Sequence, residues 1–213
     1  MLAEAFTPEF GRVGLVARGV RGKRSRARGA IQPFRSLLLS WSGGGELYTL
    51  TGTEEVATFA LRAGKALASG FYLNELLLRL TQRNDNQARL FASYSEVLHR
   101  LEAGEAPEPV LRVFEKRLLE ELGYGLLLER TAGEGEPIAA DRLYRYLVED
   151  GPLPDMGAGG AGVAVHGASL LALAREELLD PRVLEETKRL MRSILAHYLG
   201  PRPLKSRELL GGA

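Results

Sequence analysis

The chain has 213 residues, 45% of them hydrophobic, with 28 Lys or Arg, 27 Asp or Glu and no cysteine. This length can bury one large core or two small ones, and the lack of cysteine excludes disulfides, thiolate zinc sites and cysteine nucleophiles. No apolar run reaches the roughly 18–20 residues that span a bilayer, and no signal-like leader opens the chain. We therefore expect a soluble, cytoplasmic protein without a membrane partner.

Charge is distributed unevenly along the chain. Residues 1–45 contain eight Lys or Arg and two Glu, a net charge of +6, whereas the whole chain carries only +1. No acidic residue occurs from Arg12 through Gly45. Six cations fall within eleven residues: Arg18, Arg21, Lys23, Arg24, Arg26 and Arg28. A basic loop of this kind displaces counterions from a polyphosphate backbone, which predicts nucleic-acid binding. The alternative is a solvated, disordered tether.

Up to about residue 56 the pattern is typical of strands. Residues 11–17, 31–41 and 46–51 are short, partly alternating and separated by glycine-rich turns, which favours a small barrel or sandwich. The basic segment is then the loop between two strands, with Arg35 adding a cation just after it. Phe34, Trp41 and Tyr48 could stack on bases or belong to the core; for Trp41 we expect the core.

From about residue 57 the period becomes helical. Three apolar stripes run through residues 72–80, 90–101 and 111–122, and they predict a bundle of amphipathic helices. Residues 131–163 are rich in Gly and Pro and predict an irregular insertion with a short strand near 143–148. Two helices follow, near 168–177 and 181–199. The chain closes on a second group of cations predicted to bind DNA, namely Arg202, Lys205 and Arg207.

No catalytic constellation is found in the sequence. Residues 157–162 fit G-x-G-x-x-G, but no buried strand precedes them, so we interpret them as a loop. The three histidines, His99, His166 and His197, lack metal-ligand spacing. No nucleophile elbow or P-loop lysine motif occurs. We therefore expect a protein that is not an enzyme and needs no cofactor or metal.

The third helical stripe admits two interpretations. Leu111 and Phe114 are apolar positions bordered by Arg112 and Lys116, an arrangement that suits a short acidic and hydrophobic partner peptide. The alternative is that the stripe is simply core of the bundle. The residues alone leave both open.

Several segments, in order, resemble the bacterial DNA repair and recombination mediator family RecO. They are the stretch from Phe6 to Arg21, Gln32-Pro-Phe34, Gly70-Phe-Tyr-Leu-Asn-Glu75, Phe114-Glu-x-x-Leu-Leu119, Leu122-Gly-Tyr-Gly125 and Pro203-Leu-Lys-Ser-Arg207. The resemblance implies an α+β fold, with an oligonucleotide-binding (OB) barrel over residues 1–56 and a helical domain over 57–213.

The resemblance also implies function and partners. It implies binding of single- and double-stranded DNA, annealing of complementary strands, partnership with RecR, and indirect help in loading RecA. The acidic tail of single-stranded DNA-binding protein is expected to dock on the helical domain at Arg112, with Leu111 and Phe114 nearby.

Two departures from the family pattern affect these expectations. Many members carry a cysteine zinc ribbon in the region matching 131–163, so this insertion should be free of zinc. Members usually begin with a further segment that supplies the first barrel strand, so the barrel is expected to lack that strand. A different function class also stays open, an RNA-binding or ribosome-associated factor, because a surface that tracks the backbone serves either polymer.

Overall fold

The computed structural model describes residues 1–18, 29–157 and 160–211. It has an α+β fold, with a strand-rich front end followed by helices, as predicted. The described chain divides into two compact units. The first contains residues 1–105 together with the chain from Ser206 onward, and the second contains Ala106–Lys205. The predicted functional boundary between residues 56 and 57 stays a prediction.

The first unit is built on an open four-stranded sheet. Its strands are β1 (Leu2–Thr7), β2 (Gly11–Val16), β3 (Arg35–Ser42) and β4 (Tyr48–Thr58). They lie in the order β1-β2-β4-β3, with β2 and β4 parallel and the other pairs antiparallel. Strand β1, which the sequence pattern did not indicate, pairs with β2 from Leu2↔Val16 to Thr7↔Gly11.

Within the described residues, six helices follow the sheet. They are α1 (Lys65–Leu80), α2 (Ala88–Glu102), α3 (Pro107–Glu121), α4 (Gly167–Arg175), α5 (Pro181–Leu199) and α6 (Ser206–Leu209). The first two predicted apolar stripes are confirmed. The first helix buries Tyr72, Leu73, Leu76 and Leu77, and the second buries Leu90, Val97, Leu98 and Leu101. Helices α1, α2 and α6 belong to the first unit.

The second unit pairs helices α3, α4 and α5 with a small sheet. Its strands are β5 (Leu143–Leu147), β6 (Gly151–Pro154) and β7 (Val163–His166), all antiparallel in the order β6-β5-β7. The insertion is therefore more regular than its glycine and proline content indicated. Pro152 and Pro154 both lie in the edge strand β6, the place in a sheet that tolerates a residue without an N–H.

Candidate nucleic-acid interface

The predicted basic loop starts and ends on residues that the fold holds in place. At its start, Ala17 is buried and exchanges backbone hydrogen bonds with Met1, at 2.9 and 3.0 Å, while Arg18 is exposed. Arg21, Lys23, Arg24, Arg26 and Arg28 lie outside the described residues. Their predicted contact with DNA therefore stays a prediction.

At the far side of the loop, Phe34 anchors the chain before β3. Its carbonyl accepts a hydrogen bond from Phe59 N–H at 2.9 Å, and its buried ring meets the Phe71 ring edge-on at a centroid distance of 5.2 Å. A Cβ on Gly70 of α1 would lie 2.8 Å from the Phe34 ring, so only glycine allows this close approach. Two of the segments that resemble the RecO family therefore meet each other here.

Arg35 opens β3 and is already paired. Its guanidinium forms an ion pair with the Glu55 carboxylate on β4, which also accepts a 2.7 Å hydrogen bond from Thr58 Oγ1. The hydrogen bond from Thr58 and the charge of Arg35 together lower the pKa of Glu55, against a smaller opposing effect of burial. The positive charge of Arg35 is therefore partly neutralised by Glu55, and Arg35 should attract a DNA phosphate less than its position in the sequence indicates.

Aromatic rings form a row on the first unit. The Phe10 ring meets Trp41 edge-on at a centroid distance of 5.3 Å, and Trp41 lies 6.3 Å from Tyr48. The turn that carries Phe10 is closed by Thr7, whose hydroxyl accepts from Phe10 N–H and donates to the Gly11 carbonyl. Phe10 is 51% exposed, and Trp41 and Tyr48 are half-buried.

Trp41 is therefore not a core residue, which corrects our expectation. Its ring stays partly exposed because it lies near the end of β3, which is an edge strand of the described sheet. Phe10 was not proposed from the sequence at all, because its exposure depends on the turn before β2. Partly exposed aromatic rings are surfaces on which single-stranded bases can stack.

The C-terminal cations are divided between the two units. Ser206 donates to Glu75 Oε2 from its backbone N–H at 2.8 Å and from its hydroxyl at 2.6 Å, which fixes α6 against α1. Arg207 follows directly and is half-buried in the first unit. Arg202 and Lys205 are exposed and belong to the second unit.

The residues predicted to bind a partner peptide are buried. Phe114 has no exposed surface and Leu111 is nearly covered. Arg112 is 6% exposed and forms an ion pair with Glu115, one helical turn away. Lys116 Nζ donates to the Ala174 carbonyl and to Glu176 Oε1, both at 3.1 Å. In this conformation all four side chains are part of the core of the second unit, the alternative that the sequence left open.

Among the described residues, no helix is long and apolar enough to cross a membrane. Within the same part of the chain, no cluster of three or more His, Asp or Glu side chains could hold a metal ion.

Comparison with known proteins covers both halves of the chain. The family model described as "Recombination protein O N terminal" matches residues 1–59, and "Recombination protein O C terminal" matches residues 61–208. Proteins described as "DNA repair protein RecO" are similar over nearly the whole chain. The one from Alkalilimnicola ehrlichii is 49% identical over 211 residues, which cover 98% of this chain and 83% of the relative.

Two further relatives show similar agreement. The protein from Nitrosococcus oceani is 48% identical over 209 residues, covering 98% of this chain and 85% of the relative. That from Azoarcus is 41% identical over 213 residues, covering 99% of this chain and 88% of the relative. Both are described as "DNA repair protein RecO".

Proposed function

Because the chain belongs to the RecO family of DNA repair and recombination proteins, we propose that it is a mediator that binds single- and double-stranded DNA and anneals complementary strands without bond chemistry. The observation that carries this proposal is the cation-dense, acid-free segment after β2. Neutralised phosphates repel each other less, so two strands held by such cations can approach and pair.

The aromatic row supports binding of single strands in particular. Phe10 offers half of its surface to solvent, and Trp41 and Tyr48 continue the row across the sheet. In duplex DNA the base faces are covered by their neighbours, whereas a single strand leaves them free to stack on aromatic rings. Cations would then bind the backbone of either form, and the rings would favour the unpaired form.

The test of the charge proposal is the salt dependence of DNA binding. A variant with Arg21, Lys23, Arg24 and Arg26 replaced by alanine is titrated with a mixed-sequence single-stranded oligonucleotide at several salt concentrations. If each cation contacts one phosphate, the slope of log K against log salt becomes shallower by about 2.8, since each contact contributes about 0.7. Unchanged affinity and slope would reject the role of the loop.

The matched control removes the same charges elsewhere. Replacing Arg130, Arg142, Lys188 and Arg192 with alanine also deletes three arginines and one lysine, all exposed and all in the second unit. A loop-specific effect leaves this control close to the unaltered protein. An equal loss in both variants would indicate attraction by net charge alone. Competition between matched DNA and RNA strands, with RNA preferred, would favour an RNA-binding factor instead.

The stacking proposal has its own test. Trp41 is the single tryptophan of the chain, so its fluorescence should change when a single-stranded oligonucleotide binds beside it. Phe10→Ala should weaken single-strand binding about fivefold or more, because a stacked base is worth about 1–3 kcal/mol. Duplex binding should be nearly unchanged. An equal loss for both forms would argue against stacking.

We also propose the partners that the family resemblance implies. The second unit would bind the acidic tail of single-stranded DNA-binding protein at Arg112, and the protein would act with RecR to help load RecA. Arg112 Nε is buried with no hydrogen-bond partner among the described residues, which supports a further ligand for this guanidinium. The peptide reaches Arg112 only if the side chains that cover α3 move.

Fluorescence anisotropy with a labelled acidic, Phe-ended peptide tests this dock. Arg112→Lys keeps a cation in place of the guanidinium fork, and it should weaken peptide binding while leaving DNA binding nearly intact. Peptide affinity that is equal in both proteins would remove the proposal.

A further inference from the structure

A pocket of about 290 Å³ lies in the second unit, apart from the residues discussed so far. Its walls come from the end of α3, the turn between β5 and β6, and the end of α5. The side chains that define it are three tyrosines and two carboxylates, and we call it the tyrosine–carboxylate pocket. They are Tyr124, Tyr146, Glu149, Asp150 and Tyr198.

The end of α3 positions the first tyrosine. Gly123 has a φ of +84° and donates to the Glu120 carbonyl, while Tyr124 N–H reaches back to the Leu119 carbonyl at 2.8 Å. This pair of bonds is a Schellman motif, which requires a left-handed residue after the helix and therefore favours glycine there. The segment Leu122-Gly-Tyr-Gly125, to which the proposed function gives no role, builds this wall.

The tyrosine rings present a flat and accessible face. Tyr124 stacks on Tyr198 at a centroid distance of 4.1 Å and an interplanar angle of 25°. Tyr124 is nevertheless 45% exposed and lines the pocket, so part of its ring surface is accessible to a ligand. The hydroxyl of Tyr146 is held further inside, where burial raises its pKa to about 12.

Two acidic residues also line the pocket. Glu149 and Asp150 occupy the short turn between β5 and β6, and Glu149 adopts a left-handed φ of +79° that non-glycine residues seldom take. His197 Nε2 lies 3.2 Å from Glu149 Oε1. Burial, and then the charge of Glu149, raise the pKa of Tyr198. Within the described part of the chain, no Lys or Arg lines the pocket.

We propose that the tyrosine–carboxylate pocket binds an arginine side chain of a partner protein. A guanidinium is planar, so it can lie on the accessible ring surface of Tyr124, and its N–H groups can bind a carboxylate at two points. The two carboxylates repel phosphate, which points to a polypeptide and away from nucleic acid. This proposal is independent of the DNA-binding proposal, since it uses none of the same residues.

Nuclear magnetic resonance of the full chain with labelled tyrosine rings tests the assignment. The probe is the blocked tripeptide Gly-Arg-Gly, and its control is the same peptide with citrulline, which has the shape of arginine without the charge. The Tyr124 and Tyr198 resonances should shift saturably with the arginine peptide. The affinity for the citrulline peptide should be lower by a factor of about five or more, because citrulline loses both the cation–π contact and the charge-assisted hydrogen bonds.

Two variants separate the pocket from general attraction. Glu149→Gln should lower the affinity for the arginine peptide about threefold or more. Glu134→Gln, which removes an exposed carboxylate of the same unit, should leave that affinity unchanged. Equal affinity for the arginine and citrulline peptides would overturn the proposal, as would an unchanged affinity in Glu149→Gln. A single-stranded oligonucleotide that shifts the same tyrosine resonances would also overturn it, in favour of a nucleic-acid contact.

Discussion

Replacing Arg112 with alanine is expected to destabilise the second unit strongly. The side chains of Arg112 and Glu115 are only 7% and 0% exposed, and they form an ion pair one turn apart on α3. Alanine removes the cation that pairs with the buried Glu115 carboxylate. Removal of one partner from a buried pair costs about 3–5 kcal/mol, which is a large share of the stability of a unit of this size.

Thermal unfolding followed by circular dichroism at the helical band measures the effect. A unit of about 100 residues loses roughly 4–8 °C of Tm per kcal/mol, so the expected drop is about 12 °C or more. Fluorescence of Trp41, which lies in the first unit, reports whether that unit stays folded at the same temperature. The two signals should separate in the variant.

A double variant checks the physical reason for this loss. Arg112→Met with Glu115→Gln removes both charges while keeping similar volumes, and it should recover much of the lost Tm, because a neutral pair needs no buried countercharge. A drop of less than about 3 °C in Arg112→Ala would refute the reasoning, since it would mean that Glu115 finds compensation elsewhere. If Arg112→Ala stayed well folded and no longer bound the acidic peptide, Arg112 would be a docking residue.

Three further perturbations test contacts that lie within one unit or within the other. Gly70→Ala should cost about 1–3 kcal/mol, because its Cβ would collide with the Phe34 ring; chemical denaturation followed by Trp41 fluorescence measures this. Glu75→Ala should leave the buried Ser206 donors without their acceptor and expose the chain end to limited proteolysis, while the exposed Glu134→Ala should not. Glu176→Gln should destabilise the second unit by about 1–3 kcal/mol at neutral pH. Burial raises the pKa of Glu176, but hydrogen bonds from Arg117 and Lys116 outweigh it and lower the pKa below 4.5. The stabilisation is therefore full above pH 4.5 and is lost as pH falls through the folded pKa, so the two proteins should converge in acid; a constant difference would contradict this.

The helices were predictable because their apolar stripes repeat at the helical period and the structure buries those stripes. Strand β1 was not, because its outer face is exposed and its residues, Leu-Ala-Glu-Ala-Phe-Thr, alternate too weakly to show a buried side. The second sheet was hidden for another reason. Glycine and proline usually mark irregular chain, and only the pairing of β6 at an edge makes the two prolines compatible with a strand.

The sequence predicted which residue types make up the candidate site, but not which carboxylates its cations pair with. The sequence identifies Arg35 and Arg112 equally well as cations. In the structure, Arg35 forms an ion pair with Glu55 on the neighbouring strand, and Arg112 forms one with Glu115 on the same helix. The Arg112–Glu115 pair could be predicted from the i, i+3 spacing of a helix. Its burial could not, because α3 is covered on nearly every side and buries its cationic positions together with its apolar ones. Burial, and hence the cost of removing a charge, depends on contacts that no local pattern contains.

The Gly70-Phe-Tyr-Leu-Asn-Glu75 segment, one of those that resemble the RecO family, stabilises the scaffold. Gly70 admits the Phe34 ring, Glu75 holds Ser206, and both contacts lie within the first unit. The cations expected to meet DNA need no such fixed partner, since attraction to phosphate depends on their number and accessibility. Substitutions in the two classes should therefore separate experimentally. Changes at Gly70 or Glu75 should lower the unfolding free energy first and weaken DNA binding only through it, whereas changes in the basic loop should alter the salt slope at constant stability.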